Sequence, residues 1–472
     1  MIRVNNIHLS LDYDDKSVRK AVARQLRIEE KSIKSCKIFR RSVDARKKDN
    51  IYFLTTIDAE LNINEDKVCK KCGNAQIARK YEYNQMKFGN APSPVVVGAG
   101  PAGLFAALIL ARSGANPILI ERGRDVDRRT ADVNRFWTSG QLNTTSNVQF
   151  GEGGAGTFSD GKLNSGTKDI RQRKVLEEFV SHGAPDEILY NAKPHIGTDM
   201  LKGTIKNIRN EIIELGGRVM FETKLISIAF SDNKLKSITV ETANGNEVIE
   251  TDNVILAIGH SARDTFEMLY DLKLPIEAKP FSVGARIEHL REKVDKAQYG
   301  RFAGNKKLGS ANYKLSTHLD NGRGVYTFCM CPGGKVVNAS SEENRLCTNG
   351  MSEFARDAEN SNSALLVGIN PDDYESDHPL AGMYLQRKLE SKAFVAGGEN
   401  YNAPIQRVDD FLNNRKSTHL GDVKPSIGPN YEFSNLNEIL PEYVSTSMAQ
   451  GIVKMGKMLH GFDDGDAVLK IG

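Results

Sequence analysis

The sequence has little of what marks secreted or membrane-spanning proteins. Six cysteines are scattered over 472 residues, which excludes the disulfide framework of a small secreted scaffold. Aspartates stand at positions 12, 14 and 15, and no basic start is followed by an apolar run. This pattern predicts no signal peptide. We therefore expect a cytoplasmic protein.

The chain also lacks a strong charge bias, internal repeats and low-complexity tracts. Its net charge of +4 is small for this length and indicates no particular partner. A composition of 39% hydrophobic and 26% charged residues is globular. Because one hydrophobic core stops growing near about 250–300 residues, the length predicts two or three domains.

The most apolar stretch, residues 95–120, could be scored as a membrane span. Three glycines at its start, Arg112 in its middle and a Gly-Ala-Asn-Pro break at 114–117 divide it into strand, helix and strand. This division is typical of a buried βαβ unit. We expect no membrane association.

The first strand of this unit leads into a G-x-G-x-x-G motif. Gly98 permits the tight turn out of the strand, Gly100 lets a pyrophosphate approach the backbone, and Gly103 lets the helix pack on the sheet. A helix that starts near Pro101 would place its amide groups at the phosphates. The motif therefore predicts a dinucleotide site.

The second strand of the unit, Pro117–Ile120, ends in Glu121, which lies 18 residues after Gly103. A carboxylate at this place can accept hydrogen bonds from the ribose hydroxyls of an adenosine. It also repels a 2′-phosphate. The sequence thus favours FAD or NAD over NADP at this site.

The choice of FAD comes from a resemblance. The sequence resembles FAD enzymes with a glutathione-reductase-like flavin domain, and among them a set of uncharacterised FAD-dependent dehydrogenases, also described as NAD(P)/FAD-dependent oxidoreductases. Similar stretches run through most of residues 40–465. They are GAGPAGLFAAL from Gly98, Glu121-Arg122-Gly123, SNVQFGEGGAGTFSDGKL from Ser146, NVILAIGHSARDTF from Asn253, MCPGG from Met330 and TNGMSEFARD from Thr348. The resemblance implies an FAD-dependent oxidoreductase.

The motif and the resemblance together give thirteen candidate FAD-binding residues. They are Gly98, Gly100, Pro101, Ala102, Gly103, Glu121, Arg122, Arg129, Gly153, Gly154, Gly156, Leu225 and Gly259. The second glycine run, residues 151–156, is a flexible loop rich in amides that could pass close to the cofactor, although an ordinary surface loop has the same composition. Leu225 lies on a strand that resembles the adenine-reading strand of relatives. Gly259 ends an apolar strand that begins at Asn253.

No catalytic residue can be assigned from the sequence. His260 follows a strand end and is a candidate acid or base, with a structural histidine as the alternative. Lys162 and Arg129 are candidates to offset the negative charge of a reduced flavin or a phosphate. Cys329-x-Cys331 is better explained by packing than by a dithiol relay, because both side chains of such a pair share one strand face.

The fold class predicted is α/β, with a Rossmann-type FAD domain split in sequence, an inserted β-rich cap and a small α+β N-terminal module. The module spans residues 1–88, the first part of the FAD domain 89–280 and the cap 281–426. Residues 89–94 are predicted to form the linker that joins the module to the first strand of the FAD domain. Residues 427–472 are expected to be a helix returning to the FAD domain, truncated because the resembled family continues beyond the position of Asp466.

The N-terminal module is basic, with Arg40, Arg41, Arg46, Lys47 and Lys48 close together. A solvated hairpin is the simpler interpretation, and nucleic-acid binding by residues 1–88 is the alternative. Cys69-x-x-Cys72 lacks a second pair of ligands nearby, so no metal site is predicted.

The function expected is hydride transfer between FAD and a small-molecule substrate, with NAD(P)H as a transient visitor since no second G-x-G-x-x-G unit is present. The alternative is a non-enzymatic or redox-sensing flavoprotein that binds RNA or a protein through its N-terminal module.

Overall fold

The structure is a computed structural model, and it describes residues 1–79, 82–88, 92–167 and 169–471. Half of the predicted linker, residues 89–91, lies outside the described residues. The α-helices are α1 (Asp15–Leu26), α2 (Glu65–Lys71), α3 (Pro101–Arg112), α4 (Val126–Ser139), α5 (Gln172–Ser181), α6 (Thr198–Glu214), α7 (Arg263–Asp271), α8 (Arg291–Tyr299), α9 (Ala381–Ala396), α10 (Val408–Leu412) and α11 (Glu442–Gly456).

The β-strands in the same residues are β1 (Ile2–Leu9), β2 (Ile33–Asp44), β3 (Tyr52–Leu61), β4 (Ala75–Ile77), β5 (Val95–Val97), β6 (Ile118–Ile120), β7 (Arg218–Met220), β8 (Lys224–Ser231), β9 (Lys234–Thr242), β10 (Gly245–Glu250), β11 (Val254–Leu256), β12 (Phe281–Leu290), β13 (Ser316–His318), β14 (Gly324–Cys331), β15 (Lys335–Asn338), β16 (Thr348–Met351), β17 (Asn360–Ile369), β18 (Ala403–Arg407), β19 (Tyr431–Phe433) and β20 (Val468–Lys470). The fold is α/β, as the sequence predicts.

The chain divides into two compact units. Unit 1 comprises residues 1–84, 162–196 and 292–312. Its sheet has the strand order β2-β3-β1-β4 with antiparallel pairing. The element order β-α-β-β-α-β is that of a ferredoxin-like sandwich. The sequence predicts a small α+β module in this part of the chain.

Local signals explain the start of unit 1. Asp14 caps α1, because its side chain accepts a hydrogen bond from the Ser17 amide and the Ser17 hydroxyl accepts one from the Asp14 amide. Val18, Val22 and Leu26 form the buried face of this helix. Alternate residues of β1 are buried in the same core, so the helix covers one face of the sheet.

Two later segments complete unit 1. Residue Arg41 of β2 donates its amide to the Tyr190 carbonyl at 2.7 Å, and the Ala192 amide donates to the Arg41 carbonyl at 2.8 Å. Arg301 donates a hydrogen bond to the Asp49 carbonyl at 2.8 Å. Segments that the sequence pattern places in the FAD domain and in the cap are thus grouped with the N-terminal residues.

Unit 2 comprises residues 85–161, 197–291 and 313–472. One of its sheets is parallel, with the order β11-β5-β6-β7. Helix α3 connects β5 to β6, which makes the predicted βαβ unit. β5 and β6 are buried at every position, as expected for parallel strands covered on both faces. Strands β8–β10 form a separate antiparallel meander.

The larger sheet of unit 2 has seven strands, in the order β13-β14-β17-β12-β20-β18-β19. Helix α11 contacts β12, β13, β14 and β17, and a Cβ at Gly451 would clash with Val325. The structure therefore places this helix against the large sheet rather than against the parallel sheet, which corrects the expected return to the FAD domain. The physical reason is that the large sheet offers the apolar face that α11 needs to cover.

A β-bulge changes the expected geometry of Cys329 and Cys331. The pairing of β14 with β17 shifts register between Phe328 and Cys331, and Cys329 has a φ of 46°. The regular alternation that would put both thiols on one face is therefore interrupted here. Neither of these two cysteines forms a disulfide.

No helix in the described parts of the chain is long and apolar enough to cross a membrane.

Candidate functional site

The first glycine motif forms a turn in which two glycines leave no room for a side chain. Gly98 has a φ of 102°, and a Cβ there would lie 2.6 Å from the Ala257 carbonyl oxygen. A Cβ at Gly103 would overlap the Gly98 carbonyl oxygen. Pro101 opens α3 at its first position, where a missing amide hydrogen costs nothing. The motif thus brings the start of α3 directly against the ends of β5 and β11.

This turn forms the floor of a cavity of about 660 Å³, here called the glycine-loop cavity. Its walls come from the ends of β5, β6 and β11, the second glycine run and the first turns of α7. Predicted residues that line it are Gly98, Gly100, Pro101, Ala102, Glu121, Arg122, Gly154, Gly156, Leu225, Gly259 and His260. Predicted residues outside the lining are Gly103, Arg129, Gly153 and Lys162.

The two glycine runs lie against each other where they line the cavity. A Cβ at Gly154 would lie 3.1 Å from the Gly100 Cα atom. At Gly156 and Gly259 a Cβ would meet nothing within 4 Å, although both residues line the cavity. A side chain at either position would therefore project into space that a ligand could occupy.

Glu121 joins three segments of backbone. It is 6% exposed, and one carboxylate oxygen accepts the Ala99 amide at 2.8 Å. The other oxygen accepts the amides of Gly123 at 2.9 Å and Gly151 at 3.1 Å. The predicted ribose acceptor therefore also holds the two glycine runs together, because carboxylate oxygens can accept several hydrogen bonds.

Arg129 lies beneath the second glycine run. Its guanidinium is fully buried and donates to the carbonyls of Asn147, Val148, Gly151 and Glu152 at 2.6–3.3 Å. Burial lowers the pKa of Arg129 to about 10, although Glu121 and Glu152 act in the opposite direction. This arginine binds the loop backbone rather than lining the cavity.

Gly153 also has a packing position. A Cβ there would overlap the Thr157 hydroxyl and the Ile205 side chain of α6. The glycine run thus serves two purposes, since Gly154 and Gly156 line the cavity while Gly153 lets the loop approach a helix.

Arg122 forms part of the cavity wall through an ion pair with α7. It donates to Asp264 at 2.9 Å and to the Thr265 hydroxyl at 2.9 Å, and its guanidinium lies 4.6 Å from the Phe150 ring centre. Burial would raise the pKa of Asp264, but Arg122 and Lys224 outweigh it and hold that pKa at about 2. Asp264 therefore stays ionised and fixes the guanidinium in place.

The two candidate catalytic residues are placed differently. His260 lines the cavity as an exposed residue, and its Nδ1 lies 3.0 Å from the Ser261 hydroxyl. Lys162 belongs to unit 1 and does not line this cavity. The neighbouring Asp160 is buried and pairs with Arg356 at 2.8 Å, which joins two of the family-like motifs.

Sequence reasoning missed several lining residues. The additional residues include Gln149, Phe150, Thr223, Thr265 and Phe266. Gln149 and Phe150 directly precede the second glycine run, which was itself predicted to lie near the cofactor. Their position in the sequence could therefore have identified them as lining residues. Thr223 could not be identified in this way, because it lies in the loop before β8 and no motif marks that loop in the sequence. Within the described ranges, no cluster of three or more metal-ligating side chains is present.

Three family models match the chain. One described as pyridine nucleotide-disulphide oxidoreductase matches residues 92–268, and one described as FAD-dependent protein, C-terminal domain-like, matches residues 280–471. A domain of unknown function matches residues 1–60. An uncharacterised protein of Clostridium beijerinckii is 48% identical over 474 residues, covering 99% of this chain and 88% of that protein.

Solved structures show only distant likeness. A flavoprotein/dehydrogenase from Cytophaga hutchinsonii is 14% identical with a TM-score of 0.31, covering 64% of this chain and 62% of that one. The glycerol-3-phosphate dehydrogenase from Bacillus halodurans, complexed with FAD, is 12% identical with a TM-score of 0.29, covering 61% and 49%. The chain spans less than two thirds of each structure, and both TM-scores are too low to carry weight.

Proposed function

This chain belongs to the family of FAD-dependent oxidoreductases, and we propose that it transfers a hydride between a small-molecule substrate and FAD held in the glycine-loop cavity. The observation that carries the proposal is the cavity itself, whose floor is the glycine turn before α3 and whose adjoining wall is a second glycine run. Both runs expose backbone where side chains would otherwise fill the space.

The residues present fit FAD. The amides of the first turn of α3 have no acceptor within the helix, so they can bind a pyrophosphate next to Gly100 and Pro101. Glu121 accepts three amides and retains capacity for a ribose hydroxyl, since two carboxylate oxygens offer about four acceptor sites. Thr223, Leu225 and Phe266 supply a polar and apolar wall for the adenine.

When bound, FAD supplies an isoalloxazine ring that accepts or donates the hydride. The chain's own residues orient the cofactor and handle protons. His260 is our candidate for the proton, because Nδ1 already contacts Ser261 and the other ring nitrogen, Nε2, is available for exchange. Arg122 and Asp264 hold the wall of the cavity.

We assign the substrate side to the residues after 280 and the FAD side to residues 89–280. The first family model ends at residue 268 and the second begins at residue 280, which supports a domain boundary near the predicted one. The segment matched by the first model, residues 92–268, contains no cysteine. We therefore infer that the substrate reacts with the flavin directly, without a thiol relay from this segment.

The test is anaerobic reduction of the purified flavoprotein. We expect bound FAD rather than FMN, released by heat and identified by chromatography. NADH, NADPH and a panel of alcohols, amines and hydroxy acids are then mixed with the protein in a stopped-flow spectrometer. At least one donor should bleach the flavin rapidly and with saturation. The proposal is wrong if no donor reduces the bound flavin faster than it reduces free FAD.

A further inference from the structure

The two units differ strongly in charge, although the total for the chain hides the difference. Unit 1 contains 30 lysines and arginines against 19 aspartates and glutamates, a net charge of +11. Since the whole chain carries +4, the residues of unit 2 carry −7. Such an asymmetry between two parts of one chain indicates an anionic partner for the basic part.

Basic side chains of unit 1 are concentrated where two distant segments meet. Arg301 donates to the Asp49 carbonyl in the hairpin between β2 and β3 at 2.8 Å, and a Cβ at Gly300 would lie 3.4 Å from the Lys48 Cβ. Successive turns continue the chain through residues 300–308. The surface formed by both segments is here called the hairpin patch, and its exposed cations are Arg46, Lys47, Lys48, Arg301, Lys306 and Lys307.

Most positive charges of the hairpin patch are uncompensated. Arg46 pairs with Asp44 at 2.5 Å, and Asp49 is an exposed carboxylate in the same hairpin. Six cations against these two carboxylates leave four unmatched positive charges. Like charges within a Debye length of about 8–10 Å repel one another at physiological salt. A ligand with several phosphates would relieve this repulsion and release its own counterions.

A pair of stacked rings lies beside the patch. The ring centres of His8 on β1 and Tyr52 on β3 are 4.4 Å apart, and the ring planes are inclined by 18°. Both residues precede buried ones, Leu9 and Phe53, and therefore lie on the sheet face that α1 does not cover. The Tyr52 hydroxyl donates to Asp44 of the hairpin at 3.1 Å. Because His8 is exposed, its outer ring face can stack on a base.

The rings and the charges together indicate the class of ligand. Strands β1 and β3 are the two central strands of the sheet, and in one class of RNA-binding domain the aromatic side chains of a four-stranded sheet stack on unpaired bases. Proteins that bind single strands combine such rings with cations that follow the phosphates. A duplex would use the charges alone, because its base faces are covered by neighbouring bases. The combination therefore favours a single strand.

We propose that the hairpin patch and the His8–Tyr52 pair bind single-stranded nucleic acid, with the phosphates on the patch and one base stacked on His8. This binding is separate from the FAD reaction, because the surface belongs to unit 1 and shares no residue with the lining of the glycine-loop cavity. RNA and DNA offer the same phosphates and base faces to this surface. The experiment distinguishes between them.

The test measures fluorescence anisotropy of Cy5-labelled oligomers of twelve nucleotides, oligouridylate and oligothymidylate, titrated with the FAD-loaded full chain. The dye emits far from the flavin. We expect saturable binding of at least one oligomer at 50 mM salt. If four phosphates are neutralised, the slope of log K against log salt is about −2.8, which weakens binding about 50-fold between 50 and 200 mM salt. The oligomer that binds more tightly identifies the source.

The charges of the patch are tested by a fourfold substitution. The patch variant combines Lys47→Gln, Lys48→Gln, Lys306→Gln and Lys307→Gln. It should bind at least tenfold more weakly at 50 mM salt and show a slope near zero. Its matched control removes the same charge from exposed lysines of unit 2 and combines Lys234→Gln, Lys236→Gln, Lys416→Gln and Lys457→Gln. The control should keep both the affinity and the slope.

Stacking is tested by a substitution that removes the exposed ring. His8→Ala should weaken binding about fivefold or more and leave the slope unchanged, because no phosphate contact is lost. His8→Phe restores a ring and should restore the affinity.

Four results would each overturn the proposal. They are absence of saturable binding of both oligomers at 50 mM salt, equal losses in the patch variant and its control, unchanged affinity in His8→Ala, and a duplex of the same length that binds as tightly as the single strand. Flavin content and reduction by the donor panel are measured on the same samples and should not change. Failure of this proposal is thereby distinguished from failure of the proposed FAD reaction.

Discussion

The glycine-loop cavity and a second cavity of unit 2, which has a volume of about 380 Å³ and lies beside β15, are built in different ways. The floor of the first is backbone from two glycine runs within residues 98–156, and side chains from β6, β8, β11 and α7 complete its walls. The second is lined by five separate stretches between residues 136 and 430. Glycine has a recognisable spacing when backbone must approach a ligand. Aromatic and amide side chains have no such spacing until the fold assembles them.

Unit 1 is likewise assembled from segments that are distant in the sequence. Deletion of residues 1–88 is the change for which we expect the largest effect. Removing residues 1–88 takes away β1–β4, α1 and α2, on which residues 162–196 and 292–312 pack. We expect the apparent melting temperature to fall by about 5 °C or more. Calorimetry of the full chain and the deletion would measure it. Equal melting temperatures and flavin content would instead make residues 1–88 the independent module that the sequence suggested.

Glu121→Ala sharpens the comparison, because Glu121 is the side chain that holds the backbone of the two glycine runs together. Its loss leaves the amides of Ala99, Gly123 and Gly151 without their acceptor. At about 1–3 kcal/mol for each unsatisfied buried group, and with some replacement by water, we expect the FAD-free protein to lose about 3 kcal/mol. Denaturant titration measures the stability, and hydrogen exchange of Gly151 reports the loop.

The control for this prediction is Glu121→Gln, which keeps the size and one acceptor oxygen and should lose less stability. Weaker FAD binding with unchanged stability of the FAD-free protein would show that Glu121 acts on the ribose alone.

Glu342→Gln tests the ion pairs that hold α7, a helix that lines the glycine-loop cavity, against α9. Glu342 pairs with Arg263 of α7, with Arg387 of α9 and with Arg345. Burial would raise its pKa, but Arg387 and Arg263 outweigh burial and hold the pKa of Glu342 at about 2. Because the folded pKa lies below the ordinary value of 4.5, the stabilisation is present above pH 4.5 and is lost as pH falls toward 2.

The variant should therefore be less stable by about 2–3 kcal/mol at neutral pH and should lose less stability than the parent between pH 4.5 and 2. Urea titrations across this range measure both values. A parent and variant with parallel pH dependence would contradict the assigned role of the carboxylate.

Gly100→Val is the change for which we expect the smallest difference in free energy, and we expect it to affect FAD binding only. A Cβ at Gly100 would make only ordinary contact with the Gly154 Cα, at 3.9 Å, so a branched side chain there projects into the cavity beside the proposed pyrophosphate. A steric conflict of this kind costs roughly 1–3 kcal/mol, which corresponds to about 5- to 150-fold weaker FAD binding. Fluorescence titration with FAD measures it. Gly203→Val in α6, where a Cβ meets nothing within 4 Å, is the control and should bind FAD normally.

The sequence predicted the parts of the site that depend on local backbone. The βαβ unit, the turn at Gly98 and the position of Glu121 follow from short-range spacing and lie where expected. The positions of Arg129 and Gly153 did not follow, because a buried guanidinium and a tightly packed glycine have the same appearance in sequence as cofactor-binding residues. Only the fold shows that Arg129 binds four carbonyls beneath the loop.

The sequence by itself determined the α/β class and the floor of the glycine-loop cavity, because glycine spacing and strand burial act over a few residues. The FAD-dependent family followed instead from a resemblance along longer stretches of the sequence. The tertiary structure decided which distant segments join unit 1, where α11 packs, and that Glu288 and Lys470 pair inside the large sheet. The physical reason is that strand order in a sheet and the pairing of buried charges are set by long-range packing. Residues 288 and 470 become neighbours only when β12 and β20 pair.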